Sequence, residues 1–385
     1  MLSATGRGKA VYFFYFGAGA ALMPVLTLYY EHVGLTGSQV GMLAALWPAG
    51  SVIGAATWGA IADATGRHKQ IMIATIAGSV VAAQFFRLGT GFWALMPTAL
   101  IFALIASPIM PLVDNAVMES LDSKRHRYGR IRLWGAIGWG ISAPLVGLLI
   151  DRSTLQIVFP IYGGMMIVTL LAALLLPVRG IRGGVNVRTG FRAMAGDSRW
   201  IVFLVIVLVR GTGGAFTHHY LFIYMNAIGG GGLLRGLALA TATVSELVAF
   251  ALADRIVRRL GSRRLLLVSL VVTSVRLFLY SIIGIPELVL LPQLLHGVTF
   301  SLFLVAGVTY AQEIAAPGMG ATAQSVFTST NMGLGGIVGA LLGGLLYQAL
   351  GIRPMFLVAS FITLAAGALF VWLLRRPQPR SKPAA

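Results

Sequence analysis

Ten ionisable residues stand inside long apolar stretches of the chain: Arg87, Asp114, Glu119, Arg132, Arg210, His218, His219, Glu246, Arg276 and His296. A charge in hydrocarbon is costly, so each of these faces a partner or a wet cavity. Their types define the available chemistry. Arg presents a planar fork of donors and Asp only acceptors, so an Arg and an Asp together bracket vicinal hydroxyls or, with Arg dominant, a carboxylate. A carboxylate in a dry cavity binds its proton more tightly than in water, and an approaching Arg reverses that shift, which is what proton coupling requires. A plainer reading makes the same residues helix–helix ion pairs, or side chains reaching back to the interface. For Arg87, Glu119 and Arg210 the sequence favours neither.

Catalysis finds little support. The chain has no Cys, no His-Glu-x-x-His helix and no Walker loop. His218 and His219, adjacent on a helix, point about 100° apart and make a poor metal site. The expectation is no enzyme, no metal and no cofactor, and the lack of Cys also means that no disulfide is needed.

The elements that position these residues must be membrane helices. Hydrophobic residues make up 57% of the chain and charged residues 10%, with a mean hydropathy of +0.86; a soluble core cannot hide that much apolar surface. Twelve apolar runs fall at about 9–32, 38–62, 69–89, 92–118, 128–150, 155–177, 199–226, 233–253, 264–284, 287–312, 321–349 and 354–374. Each reaches the ~20 residues that cross a bilayer. The first run is too long for a cleavable signal and contains Pro24. The fold class expected is therefore all-α, a polytopic membrane protein.

The net charge of +18 suggests nucleic-acid affinity only until its distribution is seen. Lys and Arg gather at the N-terminus, at 67–69, 124–132, 179–199, 255–264 and 375–382, which are alternate loops plus both ends. By the positive-inside rule both termini are cytoplasmic, with an even number of crossings. The partner is then the lipid bilayer and no nucleic acid. The 313–321 loop has no Lys or Arg and is a local exception.

The longest polar connection, 178–198, divides the runs six and six. It reads as a cytoplasmic linker, or alternatively as an amphipathic helix on anionic lipid. The domains expected are a six-helix bundle over 1–177, the linker, and a second bundle over 199–385. The halves echo each other: Gly66-Arg67-His68-Lys69 recurs as Gly261-Ser262-Arg263-Arg264, and Gly147-Leu148-Leu149 as Gly344-Leu345-Leu346. Asp254 supplies a carboxylate before the second loop. Two similar halves around a central cavity form an architecture for alternating access, with the solute near the midplane.

Between Gly59 and Lys69 lies a charged hinge, Gly-Ala-Ile-Ala-Asp-Ala-Thr-Gly-Arg-His-Lys. Gly66 suits the positive φ of a tight reversal, Gly59 allows close helix approach, and Arg67 and Lys69 stay in cytosolic water where Asp63 holds them. The order Gly59, Asp63, Gly66, Arg67, Lys69 resembles the signature loop of the major facilitator superfamily, between its second and third helices. That resemblance implies twelve transmembrane helices in two pseudo-symmetric bundles, with this loop gating the cytoplasmic side.

The stretch from Tyr128 to Trp139, Tyr-Gly-Arg-Ile-Arg-Leu-Trp-Gly-Ala-Ile-Gly-Trp, is similar to the fifth helix of the lactose permease and its oligosaccharide and phenylpropionate proton-symporter relatives. In that family the second Arg binds substrate hydroxyls, an acid eighteen residues earlier pairs with it, and a Trp seven residues later stacks on the substrate ring. The resemblance puts Arg132, Asp114 and Trp139 in those places. It puts Arg276 at the ninth-helix Arg, His296 at the tenth-helix His, and Glu246 near the eighth-helix acid. It thus implies substrate binding by Asp114, Arg132, Trp139 and His296, and proton coupling by Glu246 with Arg276. Two positions depart from the lactose permease: Thr299 stands where it has a carboxylate three residues after the His, and Gln293 where it has a lysine. Coupling would then rest on Glu246, Asp114 or a His.

The function implied is a monomeric, proton-coupled symporter in the bacterial cytoplasmic membrane, importing a sugar, nucleoside or aromatic acid. Four intramembrane Arg tilt the solute towards negative character. Drug–proton antiport in the same fold is the alternative, because Gly140, Pro144 and Gly147 resemble the bend of exporters, although Ala143 breaks the usual Gly-Pro pair.

Overall fold

The computed structural model describes residues 4–121, 128–176, 198–315 and 319–375. Among the described residues every regular element is a helix, and twelve traverse the molecule. They are α1 Ala4–His32, α2 Gly37–Thr65, α3 His68–Phe85, α4 Phe92–Leu121, α5 Tyr128–Asp151 and α6 Leu155–Leu174, followed by α7 Ser198–Ala227, α8 Gly232–Leu260, α9 Ser262–Ile282, α10 Pro286–Ile314, α11 Thr322–Leu350 and α12 Ile352–Arg375. Eleven are long and apolar enough to cross a membrane. The twelfth, α3, has only 18 residues and spends several on His68, Lys69, Gln70 and Gln84. The connection expected at 178–198 lies outside the described residues, apart from Ser198, with which α7 begins.

The helices outrun the apolar stretches. α8 continues past residue 253 through Arg255, Arg258 and Arg259 to Leu260, because long charged side chains favour helix and the bilayer edge does not end one. Arg87 shows the reverse. It lies past the end of α3, exposed in a turn, and is no intramembrane charge. α4 breaks between Ala106 and Ile109, at Ser107 and Pro108, where Pro removes a helix hydrogen bond. α10 and α11 each contain a π-helical turn, Gly297–Leu302 and Ser329–Leu334.

Call the face where α1 begins and α12 ends the terminal face, and its opposite the far face. The two halves meet along two related seams that start at the far face. On one, α5 packs on α8, so that a Cβ at Gly147 would fall on the Gly232 carbonyl and one at Gly236 on the Ala143 carbonyl. On the other, α11 packs on α2, where Gly344 meets the Gly37 carbonyl and Gly41 the Ala340 carbonyl. Shifts of 195 and 197 residues convert each contact of one seam into one of the other, which gives a physical role to the repeated Gly-Leu-Leu. Each seam also carries a helix cap across the halves. Asp151 accepts from the Gly232 and Leu233 N–H groups at 2.5 and 2.7 Å. Gln348, its counterpart, accepts from Ser38 N–H at 2.9 Å.

Both seams reach mid-depth, at Gly140 beside Thr243 and Gly333 beside Val52. The apolar cores follow the same division. One runs through the first half and continues across into Phe216, Tyr220 and Tyr224 of far-face α7. A separate core of Phe203, Leu266, Tyr310 and Phe327 fills the second half towards the terminal face. Among the described residues the halves pack together towards the far face, and the second half has a core of its own towards the terminal face.

Candidate functional site

Three helices bring the second-half residues together. Arg276 and Tyr280 stand one turn apart on α9, and the guanidinium Nε donates to the Tyr280 hydroxyl at 2.9 Å. Gln293, His296 and Thr299 follow one face of α10 at three-residue spacing. Arg276 reaches all three: Nη2 donates to Gln293 Oε1 at 2.5 Å, and Nη1 to His296 Nδ1 at 2.9 Å and Thr299 Oγ1 at 3.1 Å. On its other edge His296 Nε2 lies 3.8 Å from Glu246 Oε2 of α8.

The chain of contacts fixes a tautomer. Arg is only a donor, so Nδ1 of His296 accepts, and the neutral ring carries its proton on Nε2, facing Glu246. The Glu246 and His296 side chains are 25% and 27% exposed, whereas Arg276 behind them is 5% exposed. Phe300 stacks on the His296 ring with centroids 5.4 Å apart. α10 is pressed on α8 here: a Cβ at Gly297 would fall on the Ser245 carbonyl, and Gly297 N–H donates to Ser245 Oγ at 3.0 Å. The backbone carrying Glu246 is held by the same contact, with Ser301 Oγ donating to its carbonyl at 3.3 Å.

Arg210 of α7 joins from behind. Its guanidinium donates to the Thr299 carbonyl and, at 3.5 Å, to Asn331 Oδ1. It also lies 4.4 Å from the centroid of the Phe303 ring. Thr299 and Asn331 belong to the two π turns, whose shifted hydrogen bonding turns backbone groups away from the helix ladder.

The first-half residues are not linked in this way. Asp114 of α4 accepts from the Tyr12 hydroxyl at 2.5 Å, and Tyr12 packs edge-on to Tyr128 at 6.4 Å. Among the described residues no ion pair joins Arg132 to Asp114, against the pairing that the resemblance implies. Arg132 is exposed. Trp139 is half-buried with its ring against α1, where a Cβ at Gly19 would stand 3.2 Å from Trp139 Cζ3. Seven residues separate Arg132 from Trp139, so Arg132 lies about 10 Å nearer the terminal face.

The Gly59–Lys69 hinge needs two corrections. Gly66 does take a positive φ, 67°, and caps α2. Asp63, however, bonds His68 Nε2 at 3.0 Å within the loop, in place of Arg67 or Lys69; Arg67 is exposed and Lys69 half-buried. Around Gly59 there is open space instead of a close helix approach. In the second copy Gly261 has φ 75°, but the acid at its start is Glu313, which accepts from Ser262 Oγ at 2.7 Å, while Asp254 is exposed. The His218 and His219 rings meet edge-on at 5.0 Å, and no cluster suited to a metal occurs among the described residues.

Sequence reasoning missed Tyr12, Tyr280 and Asn331, and read Gln293 and Thr299 only as departures. Tyr280 had a signal, its one-turn spacing from Arg276. Asn331 had none, because a π turn leaves no periodic trace.

Twelve helices in two pseudo-symmetric bundles, with polar side chains at mid-depth, define a multi-pass membrane transporter. The chain belongs to the major facilitator superfamily, matching the MFS_1 like family over residues 7–358. A maltose permease of Geobacillus stearothermophilus is 24% identical over 95% of this chain and 93% of its own length. A probable 3-phenylpropionic acid transporter of Escherichia coli (strain K12) is 26% identical over 92% of this chain and 94% of its own. The crystal structure of the nucleoside transporter NupG is similar with a TM-score of 0.89 at 16% identity, covering 98% of this chain and all of that one.

Proposed function

We propose that the chain is a proton-coupled symporter that imports a small polar organic solute by alternating access. The observation that carries this reading is the connected line Glu246–His296–Arg276, in the second half at mid-depth, with its acidic end a quarter exposed. Glu246 is the proton site. Arg276 acts on it through His296, whose Nε2 proton faces the carboxylate, and His296 with the first-half residues Asp114, Arg132 and Trp139 contacts the solute. Rocking of 1–177 against 199–385, joined through 178–198, opens the seams and closes the opposite side. The Lys and Arg distribution supports a cytoplasmic terminal face, which in a bacterial inner membrane leaves the seams to seal the outside. The solutes for which the relatives are named, a sugar, an aromatic acid and a nucleoside, span the candidate classes.

Uptake into proteoliposomes under an imposed pH gradient tests this. Glu246→Gln should abolish accumulation and preserve solute exchange, since exchange moves no net proton. Continued accumulation in that variant would sink the assignment. Outward loss in the unaltered protein would point to the antiporter reading, for which a relative of 22% identity named multidrug resistance protein MdtG gives some support.

A further inference from the structure

Building on the reading that a solute enters between the halves, we infer that this solute is a carboxylate, received by the guanidinium groups of Arg210 and Arg276 that converge on Thr299. Both groups touch that one residue, Arg210 at its carbonyl and Arg276 at its hydroxyl. Both are deeply buried, 6% and 5% exposed. Every hydrogen-bond partner that the two have among the described residues is neutral: Thr299, Asn331, Gln293, His296 and Tyr280. The Nε of Arg210 is buried with no partner.

Buried ions are retained where something compensates them, because an unpaired charge in a low-dielectric interior is expensive. Here two cations stand against one acid, Glu246, which reaches Arg276 only through His296. The residual positive charge, one while Glu246 is ionised and two once it carries the proton, favours an anionic solute in either state. A sugar or a nucleoside brings no charge and would leave the imbalance in place. Carboxylate is the anion whose two coplanar oxygens fit the guanidinium fork.

The present partners are suited to exchange. Asn331 Oδ1 is a long 3.5 Å acceptor for Arg210. The His296 ring is a quarter exposed, whereas the other side-chain partners of Arg276, Tyr280, Gln293 and Thr299, are buried, so a carboxylate entering beside the ring meets Nη1 first. The Thr299 and Asn331 acceptors lie on π turns, which lose their extra residue without ending the helix. A shift in either turn changes how Arg210 is held.

Calorimetric titration of the purified full chain in detergent at pH 7, without any gradient, tests the charge requirement. The probes are acids paired with their own amides: 3-phenylpropionate and 3-phenylpropanamide, benzoate and benzamide, gluconate and gluconamide, alongside maltose and uridine. At least one acid should bind, and about tenfold or more tighter than its amide. Arg210→Gln and Arg276→Gln, which remove the charge, should each bring that ratio towards one by weakening the acid more than the amide, whereas a merely structural role would weaken both alike. If the Gln variants do not fold, the acid–amide ratio of the unaltered chain still decides. An amide equalling its acid, or no acid binding at all, overturns the inference. The transport reading fails separately, through an acid that binds but shows no flux in proteoliposomes.

Discussion

The two halves hold their polar side chains in opposite ways. In the second half Arg276 commits donors to four side chains on α9 and α10, and His296 passes the line on to Glu246 of α8. In the first half Asp114 has Tyr12, Trp139 rests on Gly19, and Arg132 is exposed, with none of the three joined to another. One half is preorganised and the other is not. Fixed donors lose little entropy on binding, so on the proposed reading the second half would set the chemistry, while the first would supply groups that are ordered as the solute arrives. Such a division would suit alternating access, because a site fully assembled in one conformation would hold its solute there.

The largest loss should follow from removing the hub. Arg276→Ala leaves Gln293, His296, Thr299 and Tyr280 without their common donor and frees the His296 tautomer. Uptake into proteoliposomes should fall about a hundredfold or more, to background. If Arg132→Ala were the more damaging change, the comparison between the halves would be inverted.

Arg132→Ala should come next. An exposed side chain contributes little to folding, so thermal unfolding should move by less than about 0.5 kcal/mol. Solute affinity should fall about tenfold, the worth of a charged hydrogen bond made only in the complex. A large drop in melting temperature would show that Arg132 is already built into the resting structure.

Asp63→Asn should affect rate and not affinity. Its carboxylate bonds His68 at the edge of the bundle, away from either set of mid-depth residues. Transport should slow severalfold while calorimetric affinity stays level. An unchanged rate would reduce the loop to a topogenic signal.

What was legible in the chain was whatever repeats or is costly. Apolar runs located the helices, because a membrane demands length. Glu246, Arg276 and His296 stood out because charge is rare there, and the structure does place them in contact. The Gly147 and Gly344 echo was visible, but not that it marks corresponding seams. What stayed hidden depended on contacts between distant segments or on irregular backbone. Nothing near Asp114 announces Tyr12, 102 residues away. Thr299 and Gln293 read as losses relative to the lactose permease, yet in three dimensions they are the acceptors that hold Arg276. The π turns that carry Thr299 and Asn331 have no sequence period at all.

The smallest effect expected is at Trp139, and it probes the less ordered half most finely. The indole rests against α1 at the close approach of Gly19. Trp139→Phe keeps an aromatic face but loses the outer ring edge, and should weaken binding of a ring-bearing solute about fivefold or less. Gly19→Ala sharpens the test without touching the ring. A Cβ there would stand 3.2 Å from Trp139 Cζ3, tighter than ordinary packing, so the indole must give by a few tenths of an ångström. If the first half is ordered by the solute, this displacement should change affinity by no more than Trp139→Phe does, because a mobile ring re-seats on binding. A much larger loss in Gly19→Ala would mean that Trp139 is as firmly placed as Arg276, and the contrast between the halves would disappear.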